Sequence, residues 1–269
     1  MVIVHRPIDT KSLSQQRYSQ LAQRYVQSAT HAAGKDLERL FTMGDPQPDW
    51  HVLDVATGGG HTALRFAPHV AHMTVSDFSS PMLAAAEKHL RSQNITNAEY
   101  WFADAENLPF PDETYDLVTC RLATHHFPNP FRFVAEAHRV LKKGKYLLIQ
   151  DHYAPEDAQT AEYLDAFESL RDPSHGRTIP ESEWIQGFSQ AGFTVVAKET
   201  LLKRHDLSSW AKRQDCSDEV ICRLDVMLTR GPKAAIQWYQ PRSLGSQEAS
   251  FANPNLIIKG QKHQPVDAM

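Results

Sequence analysis

Between His51 and Gln150 the chain alternates short apolar runs with longer amphipathic ones, and this rhythm restricts the possible folds more than any other feature. His51–Ala56, His72–Val75, Glu99–Phe102, Tyr115–Cys120 and Lys145–Gln150 read as strands. They run into Thr57-Gly58-Gly59-Gly60, Ser76-Asp77, Asp104, Arg121 and Asp151. Between them the spacing predicts helices. One follows the glycine loop to about Ala67. One is opened by Ser80 as N-cap with Pro81 at its first position. One, Phe131–Leu141, is closed by Lys142, Lys143 and Gly144. Strand and helix in regular alternation imply an open, mostly parallel sheet with helices on both faces. Such sheets bind ligands beyond the carboxyl ends of their strands, so the residues just after each strand carry the functional reading.

The flanks complete the pattern. Tyr18, Leu21, Ala22, Tyr25 and Ala29 form one apolar face of a helix over Leu13–Ala29. A second helix is expected over Lys35–Met43, before Asp45-Pro46-Gln47-Pro48 breaks the chain. Beyond Asp151 the spacing predicts a helix over Pro155–Leu170 and a turn-rich loop at 172–176. A helix over Pro180–Ala191, stopped by Gly192, precedes a sixth strand over Phe193–Leu202. Helical structure through 205–240 and a last strand over Phe251–Lys259 follow. Trp184, Trp210, Trp238 and Tyr239 either line an apolar pocket or form the core of these extra helices; core is the reading favoured.

Charge and cysteine content exclude some functions. A net charge of −4 argues against a nucleic-acid-binding face. Cys120, Cys216 and Cys222 have neither the count nor the spacing of a disulfide framework or a zinc site, which points to a reducing cytoplasm. Met1–Ser14 lacks the apolar core of a signal peptide, and no run approaches the ~18 apolar residues of a membrane span.

The strand ends are chemically specific. Gly58, Gly60 and Ala63 satisfy a dinucleotide-binding pattern, although a glycine turn there can be no more than a tight turn. Asp54 lies at the end of the first strand, where a buried carboxylate needs a cationic ligand or loop donors. A pyrophosphate would be repelled there, whereas the ammonium and sulfonium of S-adenosylmethionine would be attracted. Asp77 ends the second strand, where a carboxylate accepts ribose hydroxyls, with Phe78 beside it to pack on adenine. Asp104 ends the third strand, within reach of an adenine amino group.

Four segments in order, VLDVATGGGHTA (52–63), VSDFSSPMLAAAE (75–87), FADAENLPFPDETYDLVTCRLATHHF (102–127) and VLKKGKYLLIQD (140–151), make the chain resemble the class I S-adenosylmethionine-dependent methyltransferases. The branch with the ubiquinone/menaquinone C-methyltransferases is the most similar. Ala56 stands where many relatives have glycine, though alanine also occurs in that branch. The resemblance implies a doubly wound, Rossmann-like α/β fold with a seven-stranded sheet of order 3-2-1-4-5-7-6, its last strand antiparallel, and helical cap insertions. It implies an N-terminal helical lid over residues 1–45 and a methyltransferase domain over 46–269, with cap segments near 155–180 and 203–240. Asp54, Thr57, Gly58 and Gly60 match the loop that holds the methionine part of the cofactor, and Asp77 matches the ribose acid. Phe78 and Met82 flank the adenine, and Asp104 and Ala105 match its edge. Arg121 falls near the methionine carboxylate or the substrate entrance. Tyr18 and Tyr25 lie on the lid helix, either touching ligand or packing the helix down.

The reactive methyl belongs to the cofactor, so the protein must align two atoms, exclude water and, if needed, take a proton. His125, His126 and Asp151 are the candidate catalytic residues, with His152 and Tyr153 close by. The histidines alternatively only shape their loop. A metal at His125, His126 and Asp151 or His152 is disfavoured, because the paired acidic pattern of cation-dependent enzymes is missing. The expectation is methyl transfer to an O, N or C atom of a small acceptor, with a homodimer allowed. An NAD(P)-dependent oxidoreductase and a non-catalytic cofactor binder are the alternatives. A DNA-modifying enzyme is disfavoured because Cys120–His126 lacks an Asn-Pro-Pro-aromatic string.

Overall fold

A computed structural model describes residues 10–26 and 34–263. The elements in chain order are α1 (Thr10–Val26), α2 (Lys35–Gly44), β1 (His51–Val55), α3 (His61–Phe66), β2 (His72–Asp77), α4 (Ser80–Ser92), β3 (Ala98–Phe102) and β4 (Tyr115–Arg121). After them come α5 (Pro130–Val140), β5 (Leu141–His152), α6 (Ala158–Arg171), α7 (Glu181–Gln190), β6 (Phe193–Asp206), α8 (Leu207–Lys212), α9 (Asp218–Arg230), α10 (Lys233–Tyr239) and β7 (Ser250–Lys262). Single 3₁₀ turns sit at Ala67–His69 and Thr124–His126. The expected extension of the first helix to Ala29 lies outside the described residues, as do 1–9 and 264–269 of the expected domains.

The strands form a seven-stranded sheet of order β3-β2-β1-β4-β5-β7-β6, as the resemblance implies. β1 to β5 pair in parallel, and β7 runs antiparallel to both β5 and β6. Alternate strand residues feed opposite faces, so neighbouring positions enter different cores. Leu53, Val55, Val118 and Leu147 join Phe133 of α5 and Phe188 of α7 on one face. Val52, Met73, Leu117 and Leu148 join Leu40 of α2 and Phe66 of α3 on the other. A third core holds the extra helices together around Phe167, Trp210, Leu224, Tyr239 and Phe251.

Several boundaries differ from expectation: β6 runs on to Asp206, into the stretch expected to be helical, and β5 and β7 are longer than expected. The N-cap of α4 is Ser79, whose hydroxyl accepts from the Met82 amide, and Ser80 is already helical. Gly144 does not close α5. The helix ends at Val140, and Leu141 to Gly144 form the irregular start of β5, where the register with β4 shifts between Tyr115 and Leu117. A φ of +74° explains the glycine there. Trp184 packs in the sheet core against Phe131 and Phe188, not in the cap, whereas Trp210 and Tyr239 are cap core. The two N-terminal helices part company: α1 packs through Ala22 on Met82 and Ala85 of α4, while α2 packs through Leu37 and Leu40 directly into the sheet core that also takes Leu90 of α4. No described helix is long and apolar enough to cross a membrane.

Candidate cofactor and acceptor site

A cleft of about 1030 Å³ opens beyond the carboxyl ends of β1, β2, β3 and β4, roofed by α1. Thr57, Gly58, Asp77, Phe78, Met82, Asp104, Ala105, Arg121, Tyr25 and His126 line it. The sequence singles out all ten. Lys11, Gln15, His61 and Glu106 also line it, and strand-end reading misses them because they lie on helices or one step into a loop.

The floor is the glycine loop. Gly58 and Gly60 have φ of +56° and +79°, a region that favours glycine. A Cβ on Gly58 would meet nothing within 4 Å, so its backbone faces the open cleft. A Cβ on Gly59 would lie 2.8 Å from the Tyr25 carbonyl, so only glycine lets α1 settle this low. The Tyr25 carbonyl also meets Nε2 of His61 at 2.9 Å.

Asp54 is fully enclosed below the loop and accepts from the hydroxyls of Thr57 (2.6 Å) and Thr119 (2.7 Å). Loop and strand donors therefore satisfy it. Asp77 accepts from the amides of Gly58 (3.0 Å) and Ser79 (2.8 Å), fixing its carboxylate at the cleft wall. Burial raises both carboxyls to about 6, against the pull of these donors. Asp104 pairs with Lys11 of α1 at 2.6 Å, and Gln15 donates to the Phe78 carbonyl at 2.6 Å. The buried Arg121 donates to Asp36 of α2 (2.6 Å) and to Gln150 (3.2 Å), while part of it still lines the cleft.

A second cavity of about 570 Å³ adjoins the first, with Tyr18, Tyr25 and Leu122 lining both. His125 and His152 face it. His125 Nδ1 meets Asp151 at 2.8 Å; Asp151 also accepts from the Thr124 hydroxyl and from the His125 and His152 amides. Burial lowers His125 and His152 to about 4, so both imidazoles are neutral at pH 7. Burial alone would raise Asp151, but His125 and His152 beside it hold its carboxyl well below the usual range. His126 turns the other way, between the Tyr18 hydroxyl (2.8 Å) and the Ser174 carbonyl (2.9 Å). His175, which the sequence does not single out, brings a nitrogen within 4.8 Å of nitrogens on His125 and His152, a grouping that could hold a cation. The His152 and His175 rings lie nearly parallel, at 24°, so they stack.

Comparisons with known proteins identify the family. Residues 53–149 match a family model described as a methyltransferase domain. The uncharacterized methyltransferase YcgJ of Bacillus subtilis is 37% identical over 198 residues, covering 73% of this chain and 78% of that protein. The chain belongs to the class I S-adenosylmethionine-dependent methyltransferases. The crystal structure of BH2331 from Bacillus halodurans matches this methyltransferase with a TM-score of 0.81 and 34% identity, covering 86% of this chain and all of that one. The ubiquinone/menaquinone biosynthesis C-methyltransferase UbiE of Brucella canis is 31% identical over 137 residues, 51% of its length. With membership shown, a nicotinamide oxidoreductase loses its support.

Proposed function

We propose that this methyltransferase takes S-adenosylmethionine in the cleft and methylates an O, N or C nucleophile of a small acceptor seated in the second cavity. The observation that carries this reading is the common wall of Tyr18, Tyr25 and Leu122, which sets donor and acceptor spaces side by side. The residues fit the cofactor. Gly58 offers open backbone, Asp77 a fixed carboxylate for the ribose, Phe78 and Met82 apolar surface for the adenine, and Asp104 and Ala105 its edge. Thr57, Arg121 and Tyr25 surround the methionine end, with Asp54 and Gly60 shaping the loop beneath. When bound, the cofactor supplies a methyl group already activated on sulfonium.

The chain then has to orient the acceptor, exclude water and hold a proton. α1 roofs the cleft and excludes water. His125 is the proposed base, its Nε2 receiving the acceptor's proton while Asp151 holds Nδ1 and fixes the tautomer. His126, anchored by Tyr18, positions the roof over the junction of the two cavities. The unpaired thiols and the acidic balance support a cytoplasmic enzyme acting on a metabolite rather than a nucleic acid.

Tritium-labelled S-adenosylmethionine incubated with a small-molecule extract tests this. Label should pass to a small molecule, and Asp151→Asn should slow transfer by about 10²–10⁴-fold, the usual contribution of a positioned base. Transfer to nothing in the extract, or an Asp151→Asn enzyme as fast as wild type, contradicts the assignment.

A further inference from the structure

The second cavity carries an unbalanced positive charge. Arg171 ends α6, Arg213 follows α8, and Lys203 and His205 come from β6; all four line the cavity. Glu168 is the acid on the same wall, and its Oε1 accepts from Asn253 at 3.0 Å. Lys203 is compensated by Asp36 at 3.0 Å. The two arginines are not compensated. Arg171 donates Nε to the Trp210 carbonyl at 3.0 Å and lays its guanidinium 4.2 Å from the Trp210 ring centroid. Arg213 has Nε enclosed without a hydrogen-bond partner. Among the described residues neither arginine has a carboxylate at ion-pair distance; Asp206, the acid that acts on Arg213, caps α8 instead.

A guanidinium cannot escape its charge by losing a proton, so one withdrawn from water without a counter-charge is costly unless an anion arrives. The neighbours register the same field. Burial and then Arg171 lower Arg213, and His205 is pushed down to about 3 by burial, Arg213, Lys203 and Arg171. Planar guanidinium forks match the paired oxygens of a carboxylate or phosphate.

We propose that the acceptor is anionic, and that Arg171 and Arg213 bind its carboxylate or phosphate group in the second cavity. This rests on the reading of that cavity as the acceptor space. Anchored at the arginine wall, the acceptor extends toward His125 and the junction at Leu122, where the donor methyl has to arrive. A neutral analogue leaves the arginines unpaired and is rejected for that reason.

The test uses two minimal probes, inorganic phosphate and acetate, titrated into the full chain with and without saturating S-adenosylhomocysteine. Binding is followed by thermal melting. Wild type should be stabilised saturably by at least one probe; phosphate alone assigns a phosphorylated acceptor and acetate alone a carboxylic acid. In Arg213→Met the apparent affinity for that probe should fall at least tenfold. The probe-free variant should melt above wild type, since an unpaired, half-buried charge is gone. Arg213→Lys should retain part of the response, which separates charge from packing. S-adenosylhomocysteine should bind wild type and Arg213→Met within twofold of each other. The proposal fails if neither probe stabilises wild type, or if wild type and Arg213→Met respond alike. It also fails if Arg213→Met loses S-adenosylhomocysteine instead, which would give the arginine to the cofactor's own carboxylate. The titrations without S-adenosylhomocysteine keep this failure distinct from failure of the cofactor reading.

Discussion

At Asp77, two backbone amides and a burial penalty act in opposite directions, and burial wins, leaving the carboxyl at about 6. Its folded pKa exceeds the unfolded one, so this group stabilises the fold below the ordinary carboxylate range and loses that contribution as the pH rises through about 6. A ligand that donates hydroxyls to the carboxylate favours the ionised form. S-adenosylhomocysteine affinity should therefore weaken as the pH drops from 7.5 to 5, and the dependence should flatten in Asp77→Asn; a pH-independent wild type contradicts this. Ala56 has φ of +53°, a conformation that costs a non-glycine residue ~1–2 kcal/mol. Ala56→Gly should raise stability in urea unfolding by about 0.5–1 kcal/mol after glycine's own chain-entropy cost; a loss would show that the strain is not there. Asp54, Asp77 and Asp104 were legible because strand ends are legible. Lys11, Asp36 and His175 were not, since what each does depends on a partner distant in the chain or on a fold not yet built.

The roof element α1 is fastened from afar. The side-chain amide nitrogen of Gln214, just after α8, lies within hydrogen-bond distance of the Tyr18 hydroxyl (3.2 Å), the Tyr25 hydroxyl (3.0 Å) and Asp172 (2.9 Å), and its two N–H groups are shared among them. Tyr18 itself donates to Asp172 at 2.9 Å, and Arg17 pairs with the same carboxylate at 3.2 Å. Gln214→Ala leaves buried hydroxyls and a carboxylate short of partners, a cost of about 1–3 kcal/mol. Amide exchange in α1 should speed up at least roughly tenfold while β4 and β5 keep their protection; unchanged exchange in α1 would show that the network does not hold the roof. The helix itself is visible in the spacing of Tyr18, Leu21, Ala22 and Tyr25. Its fastening is not, because 196 residues separate Tyr18 from Gln214. The start of β5 was misread for a related reason: Lys142-Lys143-Gly144 is a good helix stop locally, and only pairing with β4 makes it a bulge.

Across the whole molecule, the regular alternation from β1 to β5 and the order of four motifs carry the architecture, and the described sheet follows it. The division of the cap was less legible. Tryptophan spacing cannot separate Trp184, in the sheet core, from Trp210, in the cap core, because both are apolar faces of helices. Each space is assembled from distant parts: the cleft from α1 and four strand ends, the second cavity from α1, the loop after β4, β5, β6, β7 and the cap. The central claim is that these parts converge on S-adenosylmethionine. Isothermal titration of S-adenosylhomocysteine into wild type and Asp77→Ala at pH 7.5 tests it most directly. The account predicts saturable, stoichiometric binding to wild type and an affinity at least about tenfold weaker in the variant, a difference of roughly 1.4 kcal/mol or more. Wild type that takes up no S-adenosylhomocysteine, or a variant that binds it equally well, would contradict the account.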